Sequence, residues 1–211
     1  MKHTLNDEER SRLNQSIADA EARTGVQIVL TVVERSDVYA ELPWKAFALG
    51  ASCAGLLVLI MNAIWPLTSP TQAMFLAMIM MLVPAAGFAL LTVFVPDFAR
   101  LFLPAHRAEA ETRQYAESLF LSRQLFAAPE RKAVLLLVSL FERRVVVLPD
   151  TGLVRKLNQG ATAKVIQSMR PHLVAGRTAQ ALEAGLQKME EMIVQPEVSH
   201  ELPNIIEEKG A

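Results

Sequence analysis

Charge is missing from this sequence over one long stretch: between Lys45 and Asp97 there is no Asp, Glu, Lys or Arg. An uncharged run over residues 46–96 exceeds any single core helix and excludes an ordinary soluble domain for the whole chain. Cysteine is almost absent too. Cys53 stands alone, so no internal disulfide and no cysteine-based zinc site can form, and its apolar surroundings predict a small buried residue. The histidines, His3, His106, His172 and His200, are dispersed without ligand spacing or a paired nucleophile. No Gly-x-x-x-x-Gly-Lys or Gly-x-Gly-x-x-Gly phosphate cradle occurs, so nucleotide chemistry has no visible site. Neither sign of charge prevails, with Lys+Arg at 21 against Asp+Glu at 22; without a broad basic field, nucleic acid is not an expected partner. The opening residues are polar and acidic where a secretory signal would be basic and then apolar, so no export of the N-terminus is expected.

What is present is apolar surface. Hydrophobic residues make up 52% of the chain, and two bilayer-length spans fit the uncharged run, at residues 46–65 and 73–95 with a turn at 66–72. The second span holds eleven Leu, Ile, Val or Phe residues, which favour insertion by about 3 to 6 kcal/mol. The first holds eight, set against Ser52 and Asn62, and inserts as a hairpin with its partner. Ala48, Gly50, Ala51, Ala54 and Gly55 give it small surfaces for close helix approach. Trp44 and Trp65 mark its edges, and Asp97-Phe-Ala-Arg-Leu-Phe-Leu103 suits the membrane interface. Arg35 and Lys45 precede the hairpin, Arg100, Arg107 and Arg113 follow it, and its turn has no basic residue. The expected setting is therefore the cell inner membrane, crossed twice, with both termini cytoplasmic. The spans carry no ionisable residue, which argues against transport. Met74, Met78, Met80 and Met81 read as packing or lipid-facing filler rather than a soft-metal site.

The flanks, residues 1–45 and 97–194, read as two parts of one α/β domain, followed by a loosely ordered tail at 195–211. Asn6 and Glu9 form a capping box for a helix ending near Thr24, where Gly25 suits a left-handed cap. Val26-Gln-Ile-Val-Leu-Thr-Val-Val33 predicts a buried strand. Residues 105–125 predict an amphipathic helix with Tyr115, Ala116, Leu119 and Phe120 on its apolar side. Val134-Leu-Leu-Leu-Val-Ser139 and Val145-Val-Val-Leu148 predict an antiparallel hairpin across Phe141-Glu-Arg-Arg144, stopped by Pro149-Asp-Thr-Gly152. Helices are expected over 154–169 and 178–194, with a proline and glycine break at 170–176.

This order resembles the TPM-domain family. The residues that carry the resemblance are Leu5-Asn-Asp-Glu-Glu9, Thr24-Gly-Val-Gln-Ile-Val29 and above all Ala133-Val-Leu-Leu-Leu-Val-Ser-Leu-Phe-Glu-Arg-Arg-Val-Val-Val147. It is similar to bacterial members in which a transmembrane hairpin interrupts the domain after the first strand. The resemblance implies an α/β/α sandwich split by a two-helix insertion. For function it implies a range, from photosystem repair and receptor accessory roles to metal-dependent phosphatases. Many members place an Asp-Asn-Gly turn before the middle strand; here Ala128-Pro-Glu-Arg-Lys-Ala133 replaces it, which weakens any transferred metal site.

Within the chain's own residues, the acids near strand ends are Asp37, Glu130, Glu142 and Asp150, thin support for a cation acting on phosphate, which needs converging oxygen ligands. Glu142, Arg143 and Arg144 are candidate surface or binding residues and read first as a solvated turn, with the arginines able to reach lipid headgroups or an anionic partner. Asp150-Thr-Gly152 imitates an aspartic-protease turn, but helices follow it where a β body is required, so Asp150 is expected to cap a turn demanded by Gly152. No catalytic residue and no cofactor is assigned. The expectation is a membrane-anchored binding or accessory module at the cytoplasmic face, with the bilayer and a protein as partners. The alternative is a membrane-tethered phosphatase using a divalent metal.

Overall fold

The first helix follows from its ends. In the computed structural model, which describes residues 5–64 and 70–194, α1 covers Asp7–Thr24 with Asn6 and Glu9 closing the capping box and Gly25 at φ 66° ending it. The chain then enters β1, Gln27–Val33. The middle strand β2 is Ala133–Ser139 and the last, β3, is Arg144–Pro149, in a sheet ordered β1-β2-β3. Gln27 N donates to Lys132 O and Leu140 N to Val33 O, so β1 and β2 run parallel. Asp150 N returns to Ala133 O, which makes β2 and β3 the expected antiparallel hairpin. Every residue of β2 is buried, the signature of a strand covered on both faces. The burial predicted for β1 is not found: only Ile28 is fully buried there, because β1 lies at a sheet edge and the buried position belongs to β2.

Four helices complete the α/β part. A short α4, Pro96–Arg100, leads to α5, Ala105–Ser122. The buried stripe of α5 is Ala108, Thr112, Ala116 and Phe120 at a spacing of four, whereas Tyr115, assigned to the apolar side from sequence, is exposed. Two 3-10 turns, Leu125–Ala127 and Pro129–Arg131, connect α5 to β2. Helix α6 runs Gln159–Val174, five residues later than expected, because Asn158 supplies the cap by accepting from Ala161 N. It also continues through Pro171; the break comes only at Gly176, with φ at 70°. Helix α7 is Thr178–Val194. The class is mixed α/β, as the pattern predicts.

Between β1 and α4 stand two long helices, α2 at Glu41–Ile64 and α3 at Pro70–Phe94. Both are long and apolar enough to cross a membrane. Helix α2 starts before the predicted span, taking in Glu41 and Lys45. Helix α3 starts at Pro70, a residue suited to a first helical position, so Thr71 and Gln72 are helical rather than turn. The remainder of the predicted turn, Trp65 and the tail at 195–211 lie outside the described residues. A core helix would be covered, yet only 11% and 6% of the apolar windows of α2 and α3 are buried. Their mutual seam is made of small residues: Ala46, Gly50 and Ala54, four apart on α2, and Ala85 on α3 are buried. A Cβ on Gly50 would lie 2.9 Å from Ala85 Cα. Cys53, expected to be buried, is exposed, since it falls off that seam.

Among the described residues the chain forms two compact units: one of 5–31, 120–136 and 147–194, the other of 32–64, 70–119 and 137–146. In the first, Arg23 on α1 holds Glu190 on α7 through Nε at 2.5 Å and Nη2 at 2.8 Å. Gly185 lets α7 approach closely, since a Cβ there would lie 2.7 Å from Met169 Sδ and 3.2 Å from Leu136. In the second, Tyr39, Leu42, Ala99 and Phe141 form a buried apolar cluster with Phe102 and Leu103 against it.

Two outcomes test this packing. Gly50→Val forces α2 and α3 apart and lowers the thermal midpoint of the purified chain in mild detergent, while the same change at Gly87, which has open space around it, has a smaller effect. The Arg23 guanidinium, chiefly by its hydrogen bonds, holds the Glu190 carboxyl below its ordinary range. The unfolded state then binds more protons than the folded one between the two values, so this contribution is complete above the ordinary glutamate range and fades as pH falls through the lowered value. Glu190→Gln flattens that acid limb of a stability-against-pH profile.

Candidate functional site

The β2–β3 turn carries three of the four candidate residues, and it treats them differently. Glu142 is not part of a solvated turn: it is 7% exposed. One carboxylate oxygen accepts from Ser139 Oγ and the other from Ser36 N at 2.9 Å, so the acid ties the turn to the segment leaving β1. Leu140 N and Phe141 N donate to Val33 O and Glu34 O and reinforce that tie. Thr112 of α5 is also buried here, its hydroxyl donating to Ala108 O at 2.6 Å. Tyr39, 2% exposed, takes φ 48° beside this cluster, a conformation a bulky residue adopts only when its surroundings demand it. Its phenol makes no well-aligned hydrogen bond. Burial first, and the nearby Glu142 carboxylate second, push it above its ordinary value, so it stays neutral.

Arg143 and Arg144 do reach solvent. Arg143, at φ 53°, leaves the turn through the left-handed region and donates Nη2 to Asp97 Oδ1 at 2.7 Å with both side chains exposed. Arg144 touches Ala105 O at 3.4 Å and Glu109 only at 4.0 Å. Arg100 Nε donates to Phe141 O at 2.6 Å, and the Arg35 guanidinium lies 4.1 Å from the Phe141 ring centre. Asp37 and Glu41 are held by Arg107, at 3.9 and 3.0 Å.

Asp150 belongs to the other compact unit, at the end of β3. Its side chain is 3% exposed, and Oδ1 accepts from Arg131 Nη2 at 2.9 Å and from Thr151 N at 2.7 Å. Leu153 N donates to Asp150 O and Gly152 N to Arg131 O. Asp150 does cap the turn, but Gly152 is required for another reason than backbone conformation: a Cβ there would meet Glu130 O at 2.5 Å and Arg131 O at 2.8 Å. Glu130 and Arg131, both at positive φ, thus occupy the turn before β2. Asp150 Oδ2 is buried with no protein donor. Nearby in the same unit, a cavity of about 390 Å³ is lined by Arg23, Lys132 and Lys156 among others. Each cation is already engaged: Arg23 by Glu190, Lys132 by Glu130, and Lys156 by Ile193 O at 2.7 Å.

Among the described residues the acids are not gathered as the ligands of a divalent metal would be. The four acids singled out from sequence each have their own partner: Asp37 has Arg107, Glu130 has Lys132, Glu142 has two hydrogen-bond donors, and Asp150 has Arg131. Among the described residues no group of three or more His, Cys, Asp or Glu side chains converges as metal ligands would. Sequence reasoning missed Arg131, Asp97, Ser139 and Tyr39. Only Ser139 left a local signal, three residues before Glu142 across a predicted turn.

The comparisons bear on the strand pair. A family model described as the TPM domain matches residues 67–192, more than half of the chain. That span includes β2, the turn and β3; α1 and β1 precede it. No curated protein and no solved structure matches.

Removing either anchor is expected to unfold its surroundings. Glu142→Ala orphans two donors and costs about 1–3 kcal/mol for each that stays buried; Arg131→Ala leaves the Asp150 carboxylate without its charge partner and costs a similar amount. Chemical or thermal unfolding in detergent reads both, and an Arg143→Ala control, whose pair is exposed, loses less than about 1 kcal/mol.

Proposed function

The chain belongs to the TPM-domain family, and we propose that it is a membrane-anchored binding or accessory module which presents its α/β part to a protein partner at the cytoplasmic face of the inner membrane. Helices α2 and α3 form the anchor. Their apolar side chains stand largely uncovered, among them Leu59, Ile64, Met74, Phe75 and Val83 at 61% exposure or more. Covering such surface with lipid removes the need for a second protein layer. The absence of basic residues between the spans, set against arginines on both flanks, supports cytoplasmic termini.

The observation that carries the accessory reading is the pairing of Asp150 with Arg131. Arg131 and Thr151 N both engage Oδ1, on a turn held by Gly152, so Oδ2 alone is left for a cation, and a divalent ion acting on phosphate needs several converging oxygen ligands. The strand-end acids serve the fold, and the exposed turn and helix surfaces are left for recognition.

The experiment is phosphomonoester hydrolysis by the detergent-purified chain with Mg²⁺, Ca²⁺, Mn²⁺ or Zn²⁺ and with chelator, beside Asp150→Ala. The expected result is no metal-stimulated turnover by folded protein, together with a stoichiometric protein retained on mild solubilisation. Metal-dependent turnover that falls in the variant overturns the proposal in favour of the tethered phosphatase. Orientation is read by a fusion after Thr68: alkaline phosphatase activity there is expected, and activity only of a cytoplasmic reporter overturns the topology.

A further inference from the structure

The β2–β3 turn is brought to the end of an apolar helix far from it in sequence. Asp97, which holds Arg143 at 2.7 Å, stands three residues beyond Phe94, the last residue of α3. Arg100, on the same short helix as Asp97, donates to the turn's own carbonyl at Phe141, and Arg35 stacks on the Phe141 ring. Arg100 and Arg143 thus share Asp97 just beyond α3, Arg35 and Arg100 lie over the Phe141 ring, and Arg144 reaches the start of α5 at Ala105 and Glu109. The acids that face them are Asp97 and Glu109, both highly exposed, since Glu142 points inward to Ser36 and Ser139. Apolar side chains flank Asp97 and Arg100 in sequence: Phe94 is 76% and Leu101 77% exposed.

We propose that this turn is a binding site for the headgroup of an anionic phospholipid, with Arg143 and Arg144 donating to its phosphate oxygens while Phe94 and Leu101 meet the acyl chains. The inference rests on the membrane reading given above and adds a lipid preference to it. An exposed Arg143–Asp97 pair is worth little in water, so exchanging the carboxylate for a phosphate costs little, and the guanidinium fork fits phosphate oxygens in pairs. Apolar residues beside the arginines separate a lipid from a soluble acidic peptide, which would leave Phe94 and Leu101 wet.

The full chain is reconstituted in vesicles of mixed phosphatidylcholine and phosphatidylglycerol, re-extracted in mild detergent, and its retained lipids are weighed by mass spectrometry. Phosphatidylglycerol is expected to exceed its share of the vesicle, and Arg143→Gln with Arg144→Gln to reduce that enrichment by about fivefold or more. Asp97→Asn, which removes the competing acid, raises it and guards against a variant that simply misfolds. Millimolar inorganic phosphate leaves the enrichment unchanged if the site is for lipid; displacement overturns the proposal in favour of a soluble phosphate site. Unchanged enrichment in the double variant also overturns it. A chain that floats with vesicles but shows no enrichment sinks the headgroup site alone, whereas one that floats with neither lipid sinks the membrane reading itself.

Discussion

The parallel pairing of β1 with β2 is the constraint on which the rest of this chain depends. Two antiparallel strands can be joined by a tight turn, but a parallel pair obliges the chain to travel back the length of a strand before it can enter the second. Here the return is made by α5, about 27 Å long at 1.5 Å per residue, and everything between β1 and α5 is free to be an excursion. Helices α2 and α3 are that excursion. Their antiparallel pairing, closed on the Gly50–Ala85 approach, brings the chain back to where it left, so the insertion leaves the strand pairing undisturbed.

The same arrangement explains why Glu142 is buried while Arg143 and Arg144 are not. The β2–β3 turn sits against the segment that leaves β1, and Glu142 satisfies the backbone N–H of Ser36 there. A buried acceptor with two donors in place is stable; a buried acid without them would not be. The arginines on either side of the connection then collect around Phe141, next to the short helix that follows the hairpin. At Asp150 the logic is similar and independent. The turn before β2 takes positive φ at Glu130 and Arg131, and Arg131 places a permanent positive charge beside the carboxylate.

Some elements were legible because their causes are local. The Asn6–Glu9 box, Gly25, the β2–β3 hairpin and the length of the uncharged run all act within a few residues of themselves, and each stands in the structure as the pattern implies. Elsewhere local signals compete: Pro171 reads as a break, although α6 accommodates it, and the helix starts later than its apolar pattern because Asn158 caps it. Tyr115 and Cys53 read as buried from their apolar neighbours, but packing leaves both exposed. Burial of β1 was not legible, because an octet rich in β-branched residues reads the same at the centre of a sheet as at its edge.

The sequence by itself determined that this chain carries two bilayer-length apolar helices inside a mixed α/β pattern, because hydropathy, helix caps and strand alternation are properties of neighbouring residues. Only the tertiary structure decided what the charged residues do. That Asp150 is met by Arg131, 19 residues away, that Glu142 turns inward to Ser36, and that Arg143 stands at the end of α3 all depend on strand order and register, and no local pattern encodes a contact made between segments far apart in the chain.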